Sequence, residues 1–583
     1  MNKSMSNNQL GNLRHSCAHL LAAAVKGLYP GAHNAIGPSI ENGFYQDFDM
    51  GKWAISEADL LKIEKRMREM LKKWGPFEEK EVSVDQALKD FADNPYKVEL
   101  IKDFAKEGKK ITENDPGDFL DLCKGGHSNN PKVELKNFKL LSVAGAYWKG
   151  DEKKKMLTRI YGTLFPTKEE LDKYLWQQVE AKKRDHRKLG AELDLFHFQS
   201  EAPGMPFWHP KGVVIRNELL QFSRKIQKKY NYLEVQAPNL LAVDLFKKSG
   251  HWNHYKENMF FSKGWGNKEY ALRPMDCPGT IQIYKSHPHS YKELPLRLSE
   301  YGTVTRNEKS GELNGLFRVA QITQDDAHIF MREDQIQENV LETMRLAEEI
   351  YSAFRIPYKV YLSTRPDDFM GDIKVWNNSE ASLKKAIEKQ GLPLLLKEKD
   401  GAFYGPKIDY QLEDSLGRTW QCGTIQLDFQ MPKVFELEYT GVNGNAYRPV
   451  INHRTIMGSI ERFVGILIEH YAGAFPLWLS PVQVSVLPIS EKQIEYTKKV
   501  REQLESSGLR VELNSENKTI GAKIRESTLQ KIPYMVIIGE REVESLKSKV
   551  HQVSVRSREG KDLGLMNINE FITKLKSQIE KFL

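Results

Sequence analysis

Cysteine is scarce. Four cysteines in 583 residues (Cys17, Cys123, Cys277 and Cys422), widely spaced and without a CxxC pair, exclude a disulfide framework and leave any special cysteine as a ligand or a catalytic thiol. Long apolar runs are missing too. The longest, Phe463 to Leu479, is broken by Glu469 and His470 and falls short of the roughly 18 uninterrupted apolar residues of a membrane span. A dominant charge is also lacking: 86 Lys plus Arg against 78 Asp plus Glu leave +8, too mild to identify a nucleic-acid binder but compatible with a phosphate-rich partner. The opening MNKSMSNNQL has neither a secretory apolar core nor an Arg-rich amphipathic pattern, so a cytoplasmic protein is expected. Repeats and low-complexity tracts are absent. What is present, 40% hydrophobic and 28% charged residues, is ordinary globular composition, and the length suggests about three to four domains.

The pattern of apolar residues divides the chain. Residues 1–167 mix a helix carrying RHSCAHLLAAAVKGLYP, the Gly-broken stretch GPSIENGFYQDFD and a charged helix from Glu57 to about Lys73, which reads as an α+β domain. The basic segment over residues 168–190 reads as one connector helix stopped by Gly190. From 191 to 480, strand-like runs meet across polar loops: LPLRLSEYGTVTRNE with FRVAQITQDDAHIF, then KIDYQLED with TWQCGTIQLDF. Such hairpins predict an antiparallel sheet with flanking helices, and GSIERFVGILIEHYAG predicts a buried helix ended by Gly473. The remainder, 481–583, alternates strands and helices as a small α/β domain, one helix opened by Ser490 with Gln493 as capping partner. It carries 18 Lys plus Arg against 14 Asp plus Glu, half of the chain's positive excess.

Three arginines stand out. TRNE puts Arg306 and Glu308 on one strand face, Arg318 opens the return strand, and Arg462 comes from the buried helix, so all three can face one cleft. With too few carboxylates nearby they imply an anionic ligand, and guanidinium suits phosphate oxygens; an ion-paired sheet surface is the competing reading.

These residues resemble class II aminoacyl-tRNA synthetases. LSEYGTVTRNE with FRVAQITQDDAHIF looks like motif 2, KKYNYLEVQAP with Pro238 like motif 1, and GSIERF like motif 3. RPMDCPGT, RNEKSG, TQDDAHIF, FYGPKIDY, QCGTIQLDF and HRTIMGSIERF are similar, in order, to the threonyl members, from about Leu13 to the C-terminus. The resemblance implies that Cys277, His328 and His453 hold one Zn²⁺ per chain, the open fourth position taking L-threonine, with Asp326 accepting from its hydroxyl. Arg306 would contact the α-phosphate of ATP, Arg318 and Arg462 the outer phosphates together with Mg²⁺, and Met275, Gln324, Tyr404, Lys407, Gln421, Gln426 and Ser459 would complete the pocket. The product is then threonyl-tRNA(Thr), and the enzyme is expected to be a homodimer without a membrane span.

Zinc coordination can reject valine, which lacks a hydroxyl, whereas serine differs by one methyl, worth only about 1–3 kcal/mol, and calls for a hydrolytic second site. His15 and His19 lie four apart on one helix, and Cys123 and His127 repeat that spacing in DLCKGGH. Alone, the HxxxH spacing fits a metal site or two solvated histidines equally well. Together the four resemble the editing domain of threonyl and alanyl enzymes, with Tyr45, Lys97 and Asp121 matching further pocket positions and water activated without a metal. Cys17 is assigned to packing.

The chain departs from the family's pattern. Too few residues precede Leu13 for the ubiquitin-like domain with which bacterial members usually begin. Gly126 replaces a usual proline and Gln46 a common tyrosine, while Ala320 and Ile322 stand for an arginine and an adenine-stacking phenylalanine. Two alternatives stay open: a non-catalytic RNA-binding regulator, or a class II ligase for another amino acid.

Overall fold

Local signals start the first helix. Ser6 caps Asn7–Leu28 through a reciprocal box with Gln9, and the helix buries Cys17, Leu20, Leu21 and Ala24 against Phe44 and Phe48 of the strand Gly43–Asp49. The computed structural model describes residues 6–264, 266, 268–545 and 551–582. The chain divides into two units, Met1–Val179 and Glu180–Leu583. In the first, an antiparallel sheet runs His33–Asn34, Gly43–Asp49, Met156–Leu164, Phe138–Tyr147, with Ser39–Ile40 also on Gly43–Asp49. A second sheet joins Glu78–Val82, Ile111–Asp115 and Asp121–Leu122.

The connector differs from its sequence reading. It is two helices, Lys168–Arg184 and His186–Glu192, broken at Asp185, whose carboxylate caps the second by accepting the Arg187 N–H at 2.8 Å. Gly190 lies inside the second helix and stops nothing. A Cβ there would come within 2.4 Å of the Phe196 ring, so close packing explains the glycine.

Unit 2 is built on an eight-stranded sheet, in order Leu233–Glu234, Leu296–Thr305, Gln321–Met331, Val450–Ser459, Thr419–Asp428, Lys407–Glu413, Tyr358–Ser363, Leu395–Lys397. The six inner strands pair antiparallel, and each edge strand pairs parallel. Helices Ile336–Phe354 and Ile460–His470 bury their apolar residues in the core beneath. Gly473, at φ +75°, ends the second by donating to the Ile468 carbonyl. Residues from Val484 form a smaller mixed sheet with its own core, joined to the rest of unit 2 by Arg510, which pairs with Glu218 at 2.8 Å. The fold is therefore α+β and multidomain. Among the described residues no helix is long and apolar enough to cross a membrane.

At the sheet's centre, Arg454 and Asp325 form a fully buried pair at 2.9 Å, beside His453 and Asp326 in the chain. Removing one member of such a pair strands the other charge, at about 3–5 kcal/mol. Arg454→Ala should lower the denaturant midpoint of unit 2 accordingly; an unchanged urea transition would refute this.

Candidate functional site

Strand register assembles the first site. His328 stands directly opposite His453, His453 opposite Gln426, and Gln426 opposite Lys407, so four residues from distant segments form one row across four strands. Facing residues share a side of the sheet. Two positions along, Asp326 faces Thr455, and beyond a bulge Gln324 faces Ser459. Cys277 begins the helix Cys277–Lys285, and its sulfur and one ring nitrogen from each histidine all lie within 4.8 Å of one another.

This trio has the chemistry of a metal centre. His328 Nε2 and His453 Nδ1 are buried and hydrogen-bond to nothing, while His453 Nε2 is held by Asp428 Oδ2 at 2.9 Å. An outer carboxylate fixing one ring nitrogen leaves the other aimed as a ligand. Burial, with His453 and Arg454 nearby, holds His328 well below the usual histidine range, so its ring is neutral as coordination requires. Burial and Asp326 push the Cys277 thiol up, a penalty that a cation would reverse.

Around the trio, Tyr404 donates to Gln426 Oε1 at 2.5 Å. Lys407 pairs with Asp409 at 3.1 Å, and Gln421 donates to the same carboxylate at 2.8 Å. Ser459 caps the helix Ile460–His470 and donates to Glu461 at 3.0 Å. Half-buried Met275 lies two residues before Cys277.

The arginines correct the sequence reading. The outgoing strand ends at Thr305 and the return strand begins at Gln321; Arg306 adds one further backbone pair, its N–H donating to the Ala320 carbonyl at 2.8 Å, but Glu308 and Arg318 lie in the intervening loop, so TRNE does not set Arg306 and Glu308 on one strand face. Nor does Arg318 lack carboxylates: exposed, it pairs with Glu308 at 2.7 Å and Glu312 at 2.5 Å. Arg306 donates to the Pro274 carbonyl at 3.2 Å and Arg462 to the Phe317 carbonyl at 2.8 Å.

The second site belongs to unit 1, in a cavity of about 1050 Å³ lined by His15, His19, Lys97, Asp121, Cys123 and Gln46, among others. Cys123 Sγ lies 2.7 Å from His15 Nε2 and 3.4 Å from His127 Nε2. Asp121 takes Lys97 at 2.6 Å, His19 Nδ1 at 3.0 Å and the amide of Asn34 at 3.0 Å. Burial would raise Asp121, but Lys97 and His19 hold it well below the carboxylate range. Burial opposes a charge on His19, yet Asp121 and Cys123 lift it to about 9. Burial opposes the Cys123 thiolate, yet hydrogen bonds from His127, His15 and His19 bring it down to about 3. Burial lowers His127, whose ring stacks on Phe77 at 4.2 Å. These four side chains could also hold a metal by spacing, but their hydrogen bonds run to each other, to Asp121 and, from His15 Nδ1, to the Gly37 carbonyl, unlike the orphaned nitrogens of the first trio.

Tyr45 is not brought into this cluster. Its ring lies under the Arg159 guanidinium at 3.8 Å and against Tyr161, because strand alternation turns it from the side that presents Gln46 to the cavity. Sequence reasoning missed Asn34, Asp428, Asp409 and Glu461. Three had a signal in their place within a quoted motif, Asp409 in FYGPKIDY, Asp428 in QCGTIQLDF and Glu461 in GSIERF; Asn34 had none.

Comparison with known proteins agrees with this geometry. Residues 261–471 match the class II core domain of tRNA synthetases (G, H, P, S and T), 483–578 an anticodon-binding domain, and 115–161 the second additional domain of threonyl and alanyl tRNA synthetases. Sheet, motifs and matches define a class II aminoacyl-tRNA synthetase architecture. A threonine–tRNA ligase of Clostridium tetani is 53% identical over 97% of this chain and 88% of its own length, and one of Acetivibrio thermocellus is 52% identical with the same coverage. A crystal structure described as the RNA-binding domain of threonyl-tRNA synthetase from Cryptosporidium parvum aligns at a TM-score of 0.64 and 43% identity, over 68% of this chain and 98% of that one. The chain belongs to the threonine–tRNA ligase family.

A thiolate at Cys123 has a direct signature. Free cysteine, with a pKa of about 8.5, alkylates faster as pH rises, whereas Cys123 should react with iodoacetamide at a rate nearly flat from about pH 5 to about pH 8. His19→Ala should restore part of the slope. A slope like that of free cysteine in the unmutated chain would refute the thiolate.

Proposed function

We propose that this chain is a threonine–tRNA ligase that forms threonyl-adenylate from threonine and ATP, transfers it to tRNA(Thr), and hydrolyses seryl-tRNA(Thr) in a separate domain. The observation that carries the reading is the pair of orphaned imidazole nitrogens on His328 and His453 converging with Cys277 beside Asp326. These three residues would hold one zinc ion, which when bound supplies a Lewis-acidic position for the amino group and hydroxyl of threonine. Asp326 accepts from the hydroxyl, and Gln426, Tyr404, Gln324, Ser459, Gln421 and Met275 line the pocket. Arg306 meets the α-phosphate as the carboxylate attacks. Arg318 exchanges Glu308 and Glu312 for the outer phosphates, shared with Arg462 and magnesium, while Lys407, oriented by Asp409, adds positive charge. The protein's work is positioning and neutralisation.

The editing assignment rests on the unit 1 cavity. His19, lifted to about 9, is protonated at neutral pH and serves as a donor to developing negative charge. Proton acceptance from water falls to a neutral ring, and burial keeps His127 in that form. We assign residues 1–167 to editing, 168–190 to the connector, 191–480 to catalysis and 481–583 to anticodon binding. A homodimeric, cytoplasmic enzyme is the arrangement that family membership supports.

Amino-acid-dependent ATP–pyrophosphate exchange with threonine, serine, proline and alanine tests the reading, threonine being expected to give the highest kcat/KM. Elemental analysis should find about one zinc per chain, lost in Cys277→Ser and His453→Ala because two remaining ligands bind poorly. Metal content equal to wild type in both variants would reject the centre.

His19→Ala or Cys123→Ala should leave threonine activation nearly intact and slow deacylation of preformed seryl-tRNA(Thr) by about 10²-fold, the scale of a lost acid–base group. Equal deacylation by wild type and both variants would reject the editing assignment.

A further inference from the structure

One buried histidine lies beneath the loop that carries Arg318. His186 opens the helix His186–Glu192 and is 1% exposed. Its backbone N–H and Nδ1 both meet Glu469 Oε1, at 3.0 and 2.7 Å, and its Nε2 accepts the backbone N–H of Leu316 at 2.9 Å. A ring nitrogen that accepts a backbone N–H carries no proton, so the ring proton is on Nδ1 and is donated to Glu469. Asp185, His186 and Glu469 are close enough to suggest a metal site, but both ring nitrogens are already used. The other oxygen of Glu469 accepts from Arg418 at 2.6 Å.

The loop reaches His186 because residue 315 is glycine: a Cβ at Gly315 would lie 2.1 Å from His186 Nε2. The next residues, Leu316 and Phe317, immediately precede Arg318. Leu316 is pinned to His186 by its N–H, the Phe317 ring centroid sits 4.2 Å from that of His186, and the Phe317 carbonyl accepts from Arg462 Nε at 2.8 Å. Glu469, the anchor of His186, lies on the same helix as Arg462, about two turns on.

We propose that His186 is a positioning residue for ATP: the Glu469–His186–Leu316 chain ties the Arg318 loop to the Arg462 helix and fixes the spacing at which the two guanidiniums receive the nucleotide's phosphates. This rests on the function proposed above. The side chain of Arg318 stays free to exchange its glutamates for phosphate while its backbone is held. The residues proposed to take threonine, His328, His453 and Gln426, lie on the sheet strands and, among the described residues, share no hydrogen bond with Glu469, His186 or Leu316.

The test is pyrophosphate exchange by the full-length protein, with ATP and threonine varied separately and thermal stability followed in parallel. His186→Asn keeps a donor near Nδ1 but offers Leu316 no acceptor, whereas His186→Gln sets an amide oxygen near the place of Nε2. His186→Asn should raise the ATP KM by about tenfold, the effect of one lost buried hydrogen bond, with the threonine KM within about twofold of wild type. His186→Gln should recover most of that loss. Equal changes in both constants, or a glutamine variant no better than asparagine, would overturn the proposal. Should neither variant fold, Glu469→Gln decides, since its amide oxygen can serve His186 or Arg418 but not both: a selective rise in ATP KM supports the proposal and an unselective or absent one overturns it. Absence of threonine-dependent exchange in the wild type would defeat the functional reading itself and this inference with it.

Discussion

The pairing register of the strands Gln321–Met331, Val450–Ser459 and Thr419–Asp428 governs everything built on the larger unit. It sets His328 opposite His453 and His453 opposite Gln426. Side chains alternate between the two sides of a sheet, so a slip of one residue would send His453 to the opposite face and bring Arg454 in its place. The buried pair of Arg454 with Asp325 resists that slip, because both charges would lose their partner at once. The bulge between Gln324 and Asp326 then adjusts the same strand so that Gln324 meets Ser459, the residue capping the helix that carries Arg462. His328, His453 and the helix that carries Arg462 thus share one frame.

Both sites rely on carboxylates that orient rather than react. Asp428 aims His453, Asp409 gathers Lys407 and Gln421, Glu469 seats His186, and Asp121 joins Lys97 to His19. Each of these four acids is buried or nearly so, where a carboxylate without partners would be costly, and each has at least two polar partners in place of water. Fixed dipoles and charges of this kind need not reorganise when charge develops on a substrate, which suits an enzyme that handles phosphates and an aminoacyl ester.

Much of this was legible in the chain, unevenly. The hairpins around TRNE and KIDYQLED, the buried helix ended by Gly473 and the small C-terminal α/β domain follow from apolar periodicity and turn residues, which are local signals. The candidate metal ligands were reached only through resemblance, because His328 and His453 meet through sheet register, which no short stretch encodes, and Cys277 joins them from a separate helix. Asn34, and Asp428 although it lies inside QCGTIQLDF, were not picked out, since a buried carboxylate or amide reads like any surface one until its partner is known. The strand face expected for Arg306 and Glu308 failed for a related reason. Strand periodicity ran through TRNE, but backbone pairing ends at Arg306, whose N–H meets the Ala320 carbonyl, and the loop's own glutamates, Glu308 and Glu312, fold back on Arg318. In the connector, a glycine taken as a helix stop proved to be a packing glycine, whereas Asp185, which does break the helix, is ordinary in composition.

The departures from the family's pattern acquire physical content on the same terms. Gly126 has φ +83°, a region closed to proline, whose ring fixes φ near −65°; the loop joining Cys123 to His127 therefore follows a path that a proline chain could not take. Its neighbour Gly125, at φ +86°, continues the same turn. Gln46, 2% exposed in the cavity wall, stands over Gly37, where a Cβ would fall 1.8 Å from the Gln46 amide oxygen. The two changes lie on different segments lining one cavity, and Cys123 nevertheless keeps His15 at 2.7 Å and His127 at 3.4 Å. His15 and His19 are held by the first helix, and Cys123 by its backbone bond to Thr112, so the contacts of Cys123 with His15 and His127 can persist while the outline of the cavity shifts.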